Sequence, residues 1–147
     1  MKLDFGYGNG IQSVNISDKH IIRQLLPLKA PECGSEYAEI ERALDEPLGS
    51  GTIGSIFRPG ETVAIVISDV TRPMPSYKVL KSIIDRLNKA GIPDDKITVV
   101  SALGSHRHQT KEELMHLAGE ECFRRVRVID SDPDDCLSYG KRRTGRR

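Results

Sequence analysis

The sequence predicts an α/β fold, namely a Rossmann-like, open and mainly parallel sheet with flanking helices and an N-terminal β-hairpin. Over residues 63–129, short apolar runs alternate with stretches of helical periodicity, which is the β-α-β-α-β order of a right-handed parallel sheet. Residues 3–16 instead alternate around a glycine-rich turn, which is typical of a hairpin. With 147 residues, the chain has the size of one domain with a single core.

The N-terminal third contains short elements before the sheet begins. The glycines of residues 6–10 superficially suggest a dinucleotide-binding turn, but no buried strand precedes them and no helix follows, so a hairpin turn is favoured. Residues 21–28 are apolar but interrupted by proline, which favours an extended or irregular path. Helical spacing of apolar residues predicts a helix over 36–44, and residues 52–57 are expected to form a helical turn.

Three strands and two helices are predicted for the rest of the chain. The first strand, residues 63–68, is apolar without alternation, as expected when helices cover both faces of a sheet. Ser76 is a plausible N-cap for the helix that ends at Ala90-Gly91. Strand 97–102 follows, and then a helix with Thr110 and Glu113 at the spacing of a capping box. Strand 126–129 precedes an acidic segment, 130–135, which lacks the calcium-binding EF-hand pattern and is interpreted as a polar linker.

Composition excludes several classes of protein. The formal net charge is +1, so bulk charge predicts neither nucleic acid nor membrane as a partner. Five of the last seven residues are basic, and 141–147 is expected to be a disordered tail beyond a domain of residues 1–140. Three cysteines without CxxC spacing and the lack of a secretory leader or a long apolar segment predict reduced thiols and a cytoplasmic location.

Two short polar loops follow the first two predicted strands, at residues 68–73 and 103–107. The carboxyl ends of neighbouring parallel strands face one crevice, where ligands of such sheets usually bind. An aspartate, a threonine, two arginines and a histidine are therefore expected to converge on one small volume.

Each of these side chains has a candidate role and a simpler alternative. Asp69 and Arg72 can grip a ligand, since a guanidinium matches a carboxylate or phosphate, or they can form a salt bridge within the loop. Thr71 and nearby backbone N–H groups can hold an anion. His106 is the best general acid–base candidate because histidine titrates near neutral pH, although a loop histidine is often only solvent-exposed. Arg107 can bind an anion beside it.

The runs 66–75, 87–93 and 102–107, which contain DVTRP and GSHR, resemble the nickel-dependent lactate racemase family and specifically its N-terminal domain. The resemblance covers about residues 3–140. It implies a two-domain isomerase that uses a nickel pincer nucleotide, tethered to a lysine, to move a hydride at the α-carbon of a 2-hydroxy acid while two histidines move the proton.

The resemblance also assigns roles to residues of this chain. It implies that Asp69, Thr71 and Arg72 contact the cofactor, that Arg72 also binds substrate, and that His106 and Arg72 are catalytic. Arg107 is a further candidate for substrate binding, because its guanidinium can bind an anionic group beside His106. The family's cofactor lysine, second catalytic histidine and nickel-binding histidine all follow the point where this chain stops. We therefore expect no covalently bound cofactor, no metal ligand and no activity from the chain alone.

Two further interpretations stay open at this stage. The chain can be a non-catalytic module that binds a small anion or a nucleotide-like ligand. It can also be a remnant that has lost a C-terminal domain and self-associates through the apolar surface left uncovered.

Overall fold

A computed structural model describes residues 1–29, 33–72 and 74–132 of the chain. It divides into two compact units, residues 1–32 and 33–147. The predicted basic tail and most of the acidic segment lie outside the described residues. The described part confirms the α/β fold, with one antiparallel hairpin and one parallel sheet.

The first unit contains the predicted hairpin. Strands β1 (Lys2–Tyr7) and β2 (Gly10–Asn15) pair antiparallel in a register that runs from Lys2 opposite Asn15 to Tyr7 opposite Gly10. Gly8 in the connecting turn has a φ of 56°, which glycine adopts without steric cost. Residues 21–29 form no regular element, as Pro27 predicts. The hairpin interpretation of the glycine-rich turn is therefore confirmed.

The second unit contains a parallel sheet whose strands follow one another in space in the order β3-β4-β5. Its elements, in chain order, are α1 (Glu36–Asp45), α2 (Ile53–Ile56), β3 (Val63–Ser68), α3 (Ser76–Lys89), β4 (Ile97–Ala102), α4 (Lys111–Ala118), α5 (Glu120–Arg125) and β5 (Arg127–Asp130).

Helix boundaries follow the local sequence with two differences. The Thr110 side chain accepts a hydrogen bond from the Glu113 amide, and the capping box is complete. Ser76 is the first residue of α3 rather than its cap, a position taken by Pro75. The separate helix α5 was not predicted. It exists because Gly119 has a φ of 79° and interrupts the helical path after α4.

The core lies between one face of the sheet and the helices α3, α4 and α5. Val63 and Ile67 of β3 are buried there, whereas Ala64 and Val66 of the same strand point to the other face and are exposed. Successive right-handed crossovers in the order β3-β4-β5 place their helices on the same side. Within the described residues, the prediction that helices cover both faces is therefore wrong.

None of the helices that the structure describes is long and apolar enough to span a lipid bilayer.

Matched valine substitutions test the one-sided packing. Val99 of β4 has no exposed surface, while Val66 is 69% exposed on the opposite face. We expect Val99→Ala to lower the free energy of unfolding by about 2–3 kcal/mol, since it removes buried methyl groups and leaves a cavity. Val66→Ala should cost less than about 1 kcal/mol. Urea unfolding measures both, and equal losses would contradict the described packing.

Candidate functional site

The two polar loops begin side by side at the carboxyl ends of adjacent strands. Ser68, the last residue of β3, is paired with Ala102, the last residue of β4. The loops that continue from them enclose a cavity of about 340 Å³. Its lining residues are Ser68, Asp69, Arg72, Ala102, Leu103, Gly104, Ser105 and His106. The predicted convergence of Asp69, Arg72 and His106 is thus observed in the structure.

Asp69 is a buried carboxylate, with only 3% of its side chain exposed. Its Oδ1 accepts hydrogen bonds from the Thr71 amide at 3.1 Å and the Thr71 hydroxyl at 2.7 Å. Its Oδ2 contacts Nδ1 of His106. The bond to His106, and next the bond from the Thr71 hydroxyl, lower the pKa of Asp69 below its ordinary value despite burial. The carboxylate is therefore ionised at neutral pH.

This carboxylate fixes the orientation of the His106 ring. An ionised carboxylate can only accept hydrogen bonds, so the Nδ1 that faces it must carry the proton. In the neutral ring, the lone pair is then on Nε2. His106 lines the cavity, and 47% of its side chain is exposed. Such a ring can take a proton from a ligand hydroxyl and return it, as the oriented histidine of a catalytic triad does.

Arg72 is a cation without a described counter-ion in the same cavity. Its backbone N–H donates to the carbonyl oxygen of Asp69 at 3.1 Å and closes a tight turn. The Asp69 carboxylate, however, is taken by Thr71 and His106, so the alternative of a salt bridge within the loop is not observed. Among the residues that the structure describes, none pairs with the guanidinium of Arg72. It is therefore available for an anionic ligand.

Arg107 has its own carboxylate. Its guanidinium donates two bonds of 2.8 Å to Glu113 and one of 2.9 Å to the carbonyl oxygen of His108. This pairing, followed by the bond from the Thr110 amide, lowers the pKa of Glu113 to about 2. Arg107 and Thr71 do not line the cavity, and their roles in binding substrate and cofactor stay predictions.

Three polar residues that the sequence analysis did not assign to the site support the two loops. Gln109 bonds to Val70, to Ser101 and to Asp130. Asp130 is the last residue of β5 and not the start of a linker. Its place at a strand end is the signal that could have found it, because all strand ends of a parallel sheet meet at one edge.

Within residues 1–29, 33–72 and 74–132, no three histidine, cysteine, aspartate or glutamate side chains come together in a way that could hold a metal ion.

The chain is similar to known proteins over most of its length. The family described as the lactate racemase N-terminal domain matches residues 7–147. The lactate racemase of Lactiplantibacillus plantarum is 28% identical over 148 residues, which are 97% of this chain and 35% of that protein. The lactate racemase of Thermoanaerobacterium thermosaccharolyticum is 25% identical over 133 residues, which are 88% of this chain and 31% of that protein.

Solved structures share the fold, and one of them is a lactate racemase. The lactate racemase apoprotein from Thermoanaerobacterium thermosaccharolyticum superimposes with a TM-score of 0.70 at 24% identity, over 90% of this chain and 30% of that one. The chain thus spans about a third of the length of the curated relatives that it matches.

Acid titration tests the environment of Asp69. Because its pKa is lowered in the folded state, the ionised carboxylate contributes stability that is present above its unfolded pKa of 3.8 and is lost as the pH falls through the lower folded value. We expect Asp69→Asn to lower the free energy of unfolding at about pH 6. The difference from the wild type should become smaller as the pH approaches about 2, because the wild-type carboxylate then takes up a proton.

The measurement is the free energy of unfolding of both proteins across that range. Asp95→Asn, at an exposed position of the short 3-10 helix Asp94–Lys96, serves as the matched control and should follow the wild-type curve. A deficit for Asp69→Asn that stays constant with pH would contradict the assigned environment.

Proposed function

Because the chain belongs to the lactate racemase N-terminal domain family, we propose that it supplies the proton-transfer and anion-binding part of a site for a 2-hydroxy acid. His106 is the acid–base residue and Arg72 binds the carboxylate of the substrate. The single observation that carries this proposal is the contact between the buried Asp69 carboxylate and Nδ1 of His106.

The proposed chemistry of His106 follows from its neighbours. Oxidation of a 2-hydroxy acid at its α-carbon requires that the hydroxyl lose its proton as the hydride departs. Nε2 of His106 takes that proton when it acts as the base, and it donates a proton to the carbonyl oxygen when the reaction runs in the opposite direction. Asp69 stabilises the imidazolium that forms in between, since the negative carboxylate is held against the ring by burial and by Thr71.

The carboxylate of the substrate is assigned to Arg72 and not to Arg107. The planar guanidinium fork suits a carboxylate, and Arg72 lines the cavity that holds His106. Arg107 would have to leave Glu113 before it could bind a substrate, which would expose a carboxylate whose pKa has been lowered to about 2. Thr71 supports the site by donating to Asp69.

The family resemblance implies a nickel pincer nucleotide, and the cavity that Arg72 lines presents a cation to such a group. Asp69 is committed to His106 and Thr71, so Arg72 is the residue of the DVTRP motif that is free to meet an anionic group of the cofactor. When bound, such a pyridinium-derived group supplies the hydride acceptor.

Binding of lactate tests the role of Arg72. We expect L-lactate to shift the backbone amide NMR signals of residues 69–72 and 103–106. Arg72→Ala should weaken this binding roughly tenfold to a hundredfold, because a hydrogen bond to a charged group contributes about 1.5–3 kcal/mol.

Arg124→Ala is the matched control, since Arg124 is exposed on α5 and paired with Glu120. It should leave the affinity unchanged. Equal affinities of the wild type and Arg72→Ala, or equal losses in both variants, would contradict the assignment.

A turnover assay of the chain alone tests whether it holds only part of the catalytic site. The proposal gives this chain one acid–base histidine, and amino-acid side chains do not accept a hydride. We therefore expect L-lactate incubated with the purified chain to keep its enantiomeric composition, as measured by chiral chromatography. Formation of D-lactate above the level seen with His106→Ala would show that the chain holds a complete catalytic site.

A further inference from the structure

We propose that Gln109 is a positioning residue, whose side-chain amide holds the loop of Asp69 and Arg72 against the loop of His106. The inference deepens the proposed function and rests on it for its catalytic meaning.

The Gln109 carboxamide connects three strand ends. Its Oε1 accepts from the backbone N–H of Val70 at 2.8 Å, in the loop after β3. Its Nε2 donates to the Ser101 hydroxyl of β4 at 2.7 Å and to Oδ1 of Asp130, the end of β5, at 2.7 Å. The Ser101 residue is fully buried and only 9% of the Asp130 side chain is exposed.

The chemistry of these partners dictates a carboxamide and fixes which way it points. Asp130 Oδ2 also accepts from the Gln109 backbone N–H at 2.8 Å, so the residue is held at two points. A carboxylate only accepts hydrogen bonds, which places Nε2 toward Asp130 and leaves Oε1 for the amide of Val70. A glutamate here would lose both donors and face Asp130 with a like charge, and an apolar side chain would lose all three bonds.

The bond between Gln109 and Val70 acts on the site through the sequence neighbours of Val70. This residue stands between Asp69 and Thr71, whose side chains bond to each other. Among the residues that the structure describes, two hydrogen bonds join the loop after β3 to the loop after β4, namely Asp69 to His106 and Val70 to Gln109. Without the bond from Val70 to Gln109, only the contact of Asp69 with His106 would join the two loops among the described residues. Gln109 thereby keeps the carboxylate of Asp69 on Nδ1 of His106.

The test compares His106 in the full chain before and after the amide is removed. In the wild-type protein, the ¹⁵N signals of the neutral His106 ring should report a protonated Nδ1 and an unprotonated Nε2, because Nδ1 faces the Asp69 carboxylate. Gln109→Met keeps a side chain of similar length without its polar atoms. We expect it to shift His106 toward the Nε2-protonated form and to speed hydrogen exchange at the Val70 amide roughly tenfold. Gln109→Asn, a milder change that is one methylene too short, should act in the same direction.

Thr110→Ala separates positioning from general stabilisation. It removes the cap of α4 at the next residue and leaves the Gln109 amide intact, so it should lower the Tm while the His106 ring signals stay as in the wild type. The inference is overturned if His106 is unchanged in Gln109→Met and Gln109→Asn, or if Thr110→Ala changes it equally. These signals require no ligand. Failure of L-lactate to bind the wild-type chain would sink the proposed function and leave this result untouched.

Discussion

The contact between the Asp69 carboxylate and the His106 imidazole is the interaction on which the site depends. It places the ring proton on Nδ1 and leaves Nε2 with the lone pair that proton transfer requires. It also joins two loops that share no other side-chain to side-chain bond in the described chain. Without it, His106 would be a half-exposed loop histidine with no preferred direction, and Arg72 would be a surface cation.

The parallel register of the sheet makes this contact available. Pairing of Ser68 with Ala102 places the next residues of both strands at the same height, so the two loops leave the sheet together. The helices packed on one face fix that register, because a shift by one residue would turn the buried side chains of β3 outward. A buried carboxylate is then acceptable at the strand end, since Thr71 and His106 supply its hydrogen bonds.

Much of this arrangement could be predicted from the sequence, and the exceptions share a cause. Apolar runs and their spacing indicated the strands, the hairpin and the edge at which Asp69, Arg72 and His106 meet. Sequence spacing could not show that Asp69 pairs with His106 and not with Arg72, which is nearer in the sequence. It also could not show that Arg107 pairs with Glu113. Both pairings depend on the directions of the side chains in three dimensions. Gln109 and Asp130 are 21 residues apart, and only the sheet brings them together. The uncovered face was missed because an apolar strand does not show which elements cover it.

The chain spans about a third of the length of the curated relatives that it matches. In the proposed site, one ligand touches both the guanidinium of Arg72 and Nε2 of His106. A high-resolution crystal structure of the chain with bound lactate shows whether it does. We expect the lactate carboxylate to lie on Arg72, its hydroxyl on Nε2 of His106, and Nδ1 of His106 on Asp69. Lactate bound elsewhere, or an imidazole turned away from Asp69 with the ligand in place, would contradict the proposed site.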